Sequence, residues 1–251
     1  MILSGSTLYG MASGGGGSDE GAIFKINSDG SAFSLLHSFT GAADDGSQPR
    51  GSLILSGSTL YGMTQQGGAN DLGVIFKIET DGSAFSLLHS FTGGANDGNY
   101  PWGSLILSGS TLYGMTRDGG DSNLGVIFKI NTDGSAFSLL HSFTGGANDG
   151  SQPRGSLILS GSTLYGMSWL GGNSDLGVIF KINTDGTGFS LLHSFTGGAN
   201  DGRNPFGSLI LSGSTLYGMT PYGGDQDWGV VLSQPLSAVN PGGQLLLLLS
   251  E

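Results

Sequence analysis

The segment Ile-Leu-Ser-Gly-Ser-Thr-Leu-Tyr-Gly-Met occurs five times, beginning at Ile2, Ile54, Ile106, Ile158 and Ile210. The step is 52 residues each time, without insertion or deletion. A fixed period of this length makes each copy one supersecondary unit, which buries its apolar face only against its neighbours. The copies divide the chain into units 1–51, 52–103, 104–155, 156–207 and 208–251, all within one domain. Only the second half of the fifth departs from the pattern.

Each unit reads as four short strands. In the second copy they are Ser52–Leu55, Thr59–Thr64, Gly73–Glu79 and Phe85–Thr92. These runs are rich in Val, Ile, Phe, Tyr and Leu, and clusters of Gly, Asn, Asp and Ser bound them. None is long enough, or has the 3.6 period, for a helix. Ser56-Gly57-Ser58 is a tight turn, and Asp81-Gly82 marks a hairpin. Four antiparallel strands per unit, repeated radially, predict an all-β, five-bladed β-propeller.

Loop lengths order the strands from the axis outward. The step from one blade's outer strand to the next blade's inner strand crosses about three strand spacings, roughly 14 Å. Three residues span at most ~10 Å, so Ser56-Gly57-Ser58 cannot make it and Gly93–Gly103 can. The first strand of each unit is therefore innermost. On this register the fifth unit ends in Gln244–Ser250 as its own fourth strand. The ring then closes by blade packing, with no strand exchanged between the chain ends.

Composition narrows the function. With no Cys, the chain has no disulfide framework, thiolate metal site or cysteine nucleophile. A net charge of −11 with eight Lys+Arg argues against a nucleic-acid surface. No apolar run approaches ~18 residues, so membrane insertion is not expected. The opening Met-Ile-Leu-Ser-Gly lacks the basic and apolar regions of a signal peptide.

The copies differ in an organised way. The second and third are unlike at nine of 52 positions. Five of these lie between the second and third strands, three between the fourth strand and the next unit, and only Glu79/Asn131 lies elsewhere. Strand alternation puts those two loops on one face of the ring. All three Trp and all four Arg sit at these variable positions. Trp, Tyr and Arg dominate binding hot spots, whereas drift in a Gly/Ser/Asp loop yields mostly small polar residues. The candidate ligand-binding residues are Gln65, Gln66, Tyr100, Trp102, Arg117, Asp118, Trp169, Leu170, Phe206, Tyr222 and Trp228.

The runs Leu60-Tyr61-Gly62, Gly67-Gly68, Gly73 through Ile78, Asp81-Gly82 and Leu87 through Phe91 resemble the bacterial GloVer-type tandem repeat, a propeller unit. The match recurs in copies one to four and fades after Val231; Met63 stands where the family pattern has Thr. The resemblance implies a repeat-built, extracellular or cell-surface protein, and it carries over no catalytic residue.

Catalytic chemistry finds little support. Glycoside-cleaving propellers need carboxylates on their inner strands, and here those strands read Ser-Leu-Ile-Leu. No Gly-x-Ser-x-Gly elbow or His-Glu-x-x-His spacing occurs. His37, His89, His141 and His193 read as core residues on the same side as Phe85, Leu87 and Phe91. The Asp-Gly steps at 45–46, 97–98, 149–150 and 201–202 read as Asx turns, with calcium as the weaker alternative. Lys25, Lys77, Lys129 and Lys181 read as solvated edge residues. The expectation is a non-catalytic, monomeric recognition module for a protein or peptide, without cofactor or metal. A carbohydrate-binding propeller and a structural or designed scaffold with no ligand are the alternatives.

Overall fold

The computed structural model of the chain describes residues 1–236. All of its regular structure among these residues is strand. Four successive units each form a four-stranded antiparallel meander, the second being Ile54–Ser56, Thr59–Thr64, Val74–Glu79 and Ser86–Ser90. The fifth sheet has three strands, Ile210–Ser212, Thr215–Thr220 and Val230–Pro235. The fourth strand expected at Gln244–Ser250 lies outside the described residues. Among the described residues no helix is long and apolar enough to cross a membrane.

Successive sheets pack face to face through one interface used four times. At the second junction, Tyr61, Met63, Ile75 and Phe91 meet Leu105, Leu112, Val126, Phe128 and Ile130 of the next unit. Equivalent clusters join the first sheet to the second, the third to the fourth and the fourth to the fifth. Phe91 lies edge-on to Phe128 with ring centroids 5.6 Å apart, and both are fully buried. A buried aromatic of this kind contributes roughly 1.5–3 kcal/mol.

The sheets come closest where their first strands begin. A Cβ on Gly103 would run into the carbonyl of Gly155, so only glycine fits this approach. Beside it, the amides of Ser52, Ser104 and Ser156 each donate to the side-chain oxygen 52 residues on, at 2.7, 2.8 and 3.1 Å. This convergence puts the first strand innermost, as the loop lengths require.

The junction is not repeated between the fifth sheet and the first among the described residues. Met219 is 66% exposed, whereas Met63, Met115 and Met167 are 2–3% exposed. On the first sheet, Met1, Leu3, Phe33 and Leu35 are also exposed. They occupy the receiving half of the interface, and Met219 and Val231 occupy the offering half.

Two sequence expectations need correction. The fourth strand carries a bulge between Leu87 and His89, which breaks the alternation that placed these two residues together. Phe85 and Leu87 pack toward the preceding unit. His89 turns toward the following one, stacking on Phe137 at 4.0 Å. The repeated lysines are also not on an edge: Lys77 lies in the third strand, paired with Tyr61 on one side and Ser86 on the other. Lys25 Nζ donates to the Thr80 carbonyl of the next unit at 3.3 Å.

Candidate functional site

The two variable loops share a face because they pair with each other. A two-residue strand leaving the fourth strand of one unit joins a two-residue strand after the second strand of the next. Ser47 faces Gln66, Asn99 faces Asp118, Ser151 faces Leu170 and Arg203 faces Tyr222. These pairs are too short to leave a periodic signal in the sequence.

Invariant residues hold this frame. The Asp97 carboxylate accepts from His89 Nε2 at 2.9 Å, from the amide and hydroxyl of Thr92, and from the Gly98 amide. The same set recurs at Asp45, Asp149 and Asp201. Burial raises the carboxyl pKa at Asp97, Asp149 and Asp201, but the hydrogen bonds and the neighbouring imidazole outweigh it and leave each below its ordinary value. Carboxylates so fully engaged anchor the loop. No group of three metal-ligating side chains occurs among the described residues.

Gln48, Tyr100, Gln152 and Asn204 each adopt φ between +51° and +53° immediately before a proline. Such a conformation costs a non-glycine residue about 1–3 kcal/mol. Backbone bonds on both sides hold it, from Tyr100 N to the Leu72 carbonyl and from Arg117 N to the Tyr100 carbonyl. The strained bend aims the residue two places later at the axis.

Those axial positions carry Arg50, Trp102, Arg154 and Phe206 in successive units. Together with the Gly-Ser steps at 51–52, 103–104, 155–156 and 207–208, they line a cavity of about 380 Å³. Three guanidiniums surround the Trp102 ring, Arg50 at 5.3 Å, Arg154 at 5.2 Å and Arg117 at 5.8 Å. Arg154 also lies over Trp169 at 4.3 Å. Phe206 meets Trp102 and Trp169 edge-on at 5.7 and 6.3 Å. Each stacked cation contributes on the order of 0.5–2 kcal/mol, more as water is excluded.

The polar partners are unevenly shared. Arg117 binds the carboxylate of Asp118 at 2.6 and 2.8 Å. Arg50 donates to the neutral amide oxygen of Gln65 at 2.7 Å. Arg154 reaches only Gln152 Oε1, at 3.4 Å, and its Nε is buried without a partner, as is Trp102 Nε1. Burial holds the Arg154 guanidinium below its ordinary pKa, and the nearby charge of Arg117 adds to this.

With Arg117 also over the Tyr100 ring at 5.1 Å, the sequence candidates Gln65, Tyr100, Trp102, Arg117, Asp118, Trp169 and Phe206 fall in one cluster. Gln66 and Leu170 sit in the short paired strands beside it. Tyr222 joins through Trp169 at 6.4 Å and lies under Arg203, which pairs with Asp227. Trp228 is not brought in. It is 87% exposed, at the register position where Leu72, Leu124 and Leu176 pack between sheets. Arg50 and Arg154 were missing from the candidates. Their signal was the 52-residue spacing of Arg, Trp, Arg and Phe at one register position, which only a column-by-column reading exposes.

Repeated antiparallel meanders that converge on their first strands, with one loop face around an axial cavity, define a propeller-type repeat protein. The chain belongs to the Gloeobacter/Verrucomicrobia repeat family, whose sequence profile matches residues 1–167 and 133–238. No curated protein sequence matches it. Among solved structures it is similar to the GH74 enzyme of Niastella koreensis, with TM-score 0.62 and 19% identity over 96% of this chain and 36% of that one. A chain of the nidogen/laminin complex gives TM-score 0.57 and 17% identity, over 92% and 72% respectively. TolB from Acinetobacter baumannii gives 0.54 and 10%, over 96% and 52%. At these identities the likeness establishes the propeller fold alone.

Proposed function

We propose that this chain is a non-catalytic binding module, a five-bladed propeller whose variable loop face takes up a segment of a protein or peptide at the axial cavity. The observation that carries this reading is that Arg50, Trp102 and Arg154 line one cavity, with Arg117 and Trp169 packed against them from behind. Large rings supply desolvated area and guanidiniums supply oriented donors, the pairing found at binding hot spots. The constant strands and the Asp–His anchors hold these side chains in place before a ligand arrives, which lowers the ordering cost of binding.

The axial column reads Arg, Trp, Arg, Phe, so it builds one composite site per chain instead of one site per blade. A multivalent lectin would repeat its aromatic platform in every unit, which makes the peptide reading the stronger one. The non-catalytic reading is supported by the cavity lining, which is Arg, Trp, Phe, Gly and Ser, without a carboxylate to act as acid or base.

The test is capture of peptides and glycans by the wild type beside a Trp102→Ser/Trp169→Ser variant. Peptide capture lost in the variant at unchanged melting temperature supports the proposal. Glycan capture at about five sugars per chain transfers it to the lectin, and no capture by either protein leaves a scaffold.

A further inference from the structure

The charges around the axial cavity do not balance. The chain carries a net −11, yet three cations gather around Trp102 and only Arg117 has a carboxylate partner, Asp118. Arg50 and Arg154 are bonded to neutral amides alone. Arg50 is exposed and Arg154 half-buried, and the Asp118 carboxylate near them is engaged by Arg117. Two guanidiniums with donors to spare beside an open cavity suit an anion that arrives from outside.

We infer that the cavity takes a carboxylate side chain of an acidic peptide segment, held between Arg50 and Arg154, with an adjoining apolar residue against Trp102 and Phe206. This rests on the binding-module reading above and gives it a chemical class. Among the described residues Arg50 bonds through Nε alone and Arg154 only through a 3.4 Å contact to Gln152, so both guanidiniums keep unused donors, and a planar guanidinium binds a carboxylate through paired, charge-assisted hydrogen bonds. A volume of about 380 Å³ admits an acidic side chain with its peptide unit. Polymeric anions such as polyuronates fit less well. They present charges in series, whereas the cations here are gathered around one ring and Lys25 reaches toward the third-to-fourth-strand turn of the next unit.

The experiment selects from a displayed library of random twelve-residue peptides, using the wild type, Arg50→Gln/Arg154→Gln and Trp102→Ser. A polyuronate retention assay runs alongside. Selected peptides are expected to be enriched in Asp and Glu next to aromatic or aliphatic residues. Their affinity should fall about tenfold or more in the Arg double variant, the scale of charged hydrogen bonds, and should weaken as salt is raised. Arg154→Gln alone should lower peptide affinity while keeping the melting temperature within a few degrees of the wild type; a lowered melting temperature with peptide affinity unchanged would make this arginine purely structural.

Neutral peptides that survive the Arg substitutions but are lost in Trp102→Ser overturn the carboxylate and leave the binding module standing. Polyuronate retention that depends on the arginines, without peptide enrichment, overturns the peptide. No enrichment over the variants overturns both readings.

Discussion

Asp149 shows how one carboxylate fixes a loop. It accepts from His141, from the amide and hydroxyl of Thr144 and from the Gly150 amide. Its folded-state pKa lies below the ordinary value, so its contribution to stability is fully present above the unfolded carboxyl pKa of about 3.9. That contribution is lost as pH falls through the lowered folded-state value, and Asp97 and Asp201 follow the same course. Replacing Asp149 by Asn should cost about 1.5–3 kcal/mol near neutral pH, the range for hydrogen bonds to a charged group. It should also flatten the acid limb of a denaturant-midpoint series below about pH 5; an unchanged limb would show that Asp149 titrates alike in both states. At this scale the sequence was legible in type and not in partnership. Strand alternation placed His89 and its equivalents near the core, but the Asp eight residues on is brought to the imidazole only through the bulge, and a bulge leaves no trace in an alternation count.

For the sheets, the repeated interface gives an internal control. Met115 is 2% exposed and Met219 is 66% exposed, at the same register position of two near-identical units. Met115→Ala should cost about 2–5 kcal/mol, and Met219→Ala should stay within about 0.5 kcal/mol. Equal losses in chemical denaturation would mean that the flank of the fifth sheet is covered in solution. Gly103→Ala probes the opposite fault, too much volume where two first strands meet. It should lose about 1–3 kcal/mol by overpacking, which a thermal melt beside Gly94→Ala, in open space, would resolve. Strand order and the innermost position of the first strand were readable because three residues cannot span a sheet. The two-residue strands were not, since their pairing depends on residues 19 and 21 apart in adjoining units.

For the whole molecule, the split between constant and varying parts is spatial. Sheets and anchors repeat almost without change, and the differences collect on the loop face around one cavity. The 52-residue spacing was enough to read the propeller architecture and the varying face. It did not single out the cavity, because Arg50, Trp102, Arg154 and Phe206 are far apart in sequence and meet only when the units fan around an axis. Trp228 shares its residue type with the axial set, but its register position is that of Leu72, Leu124 and Leu176 between sheets.

The sameness of the first three junctions has a bearing on how such a chain changes over time. The second, third and fourth units can be exchanged without disturbing a packed surface, because each offers and receives the same side chains, whereas the fifth carries Leu232 at the position of Phe128. Exchange nevertheless rewrites the axis, since every unit brings its own residue to it. Moving the unit that ends in Trp102 one place along would give Arg, Arg, Trp, Phe around the opening, a different lock cut from unaltered parts. Recombination between repeats, which is ordinarily a hazard to a folded protein, would here reorder the axial side chains while keeping the packed junctions.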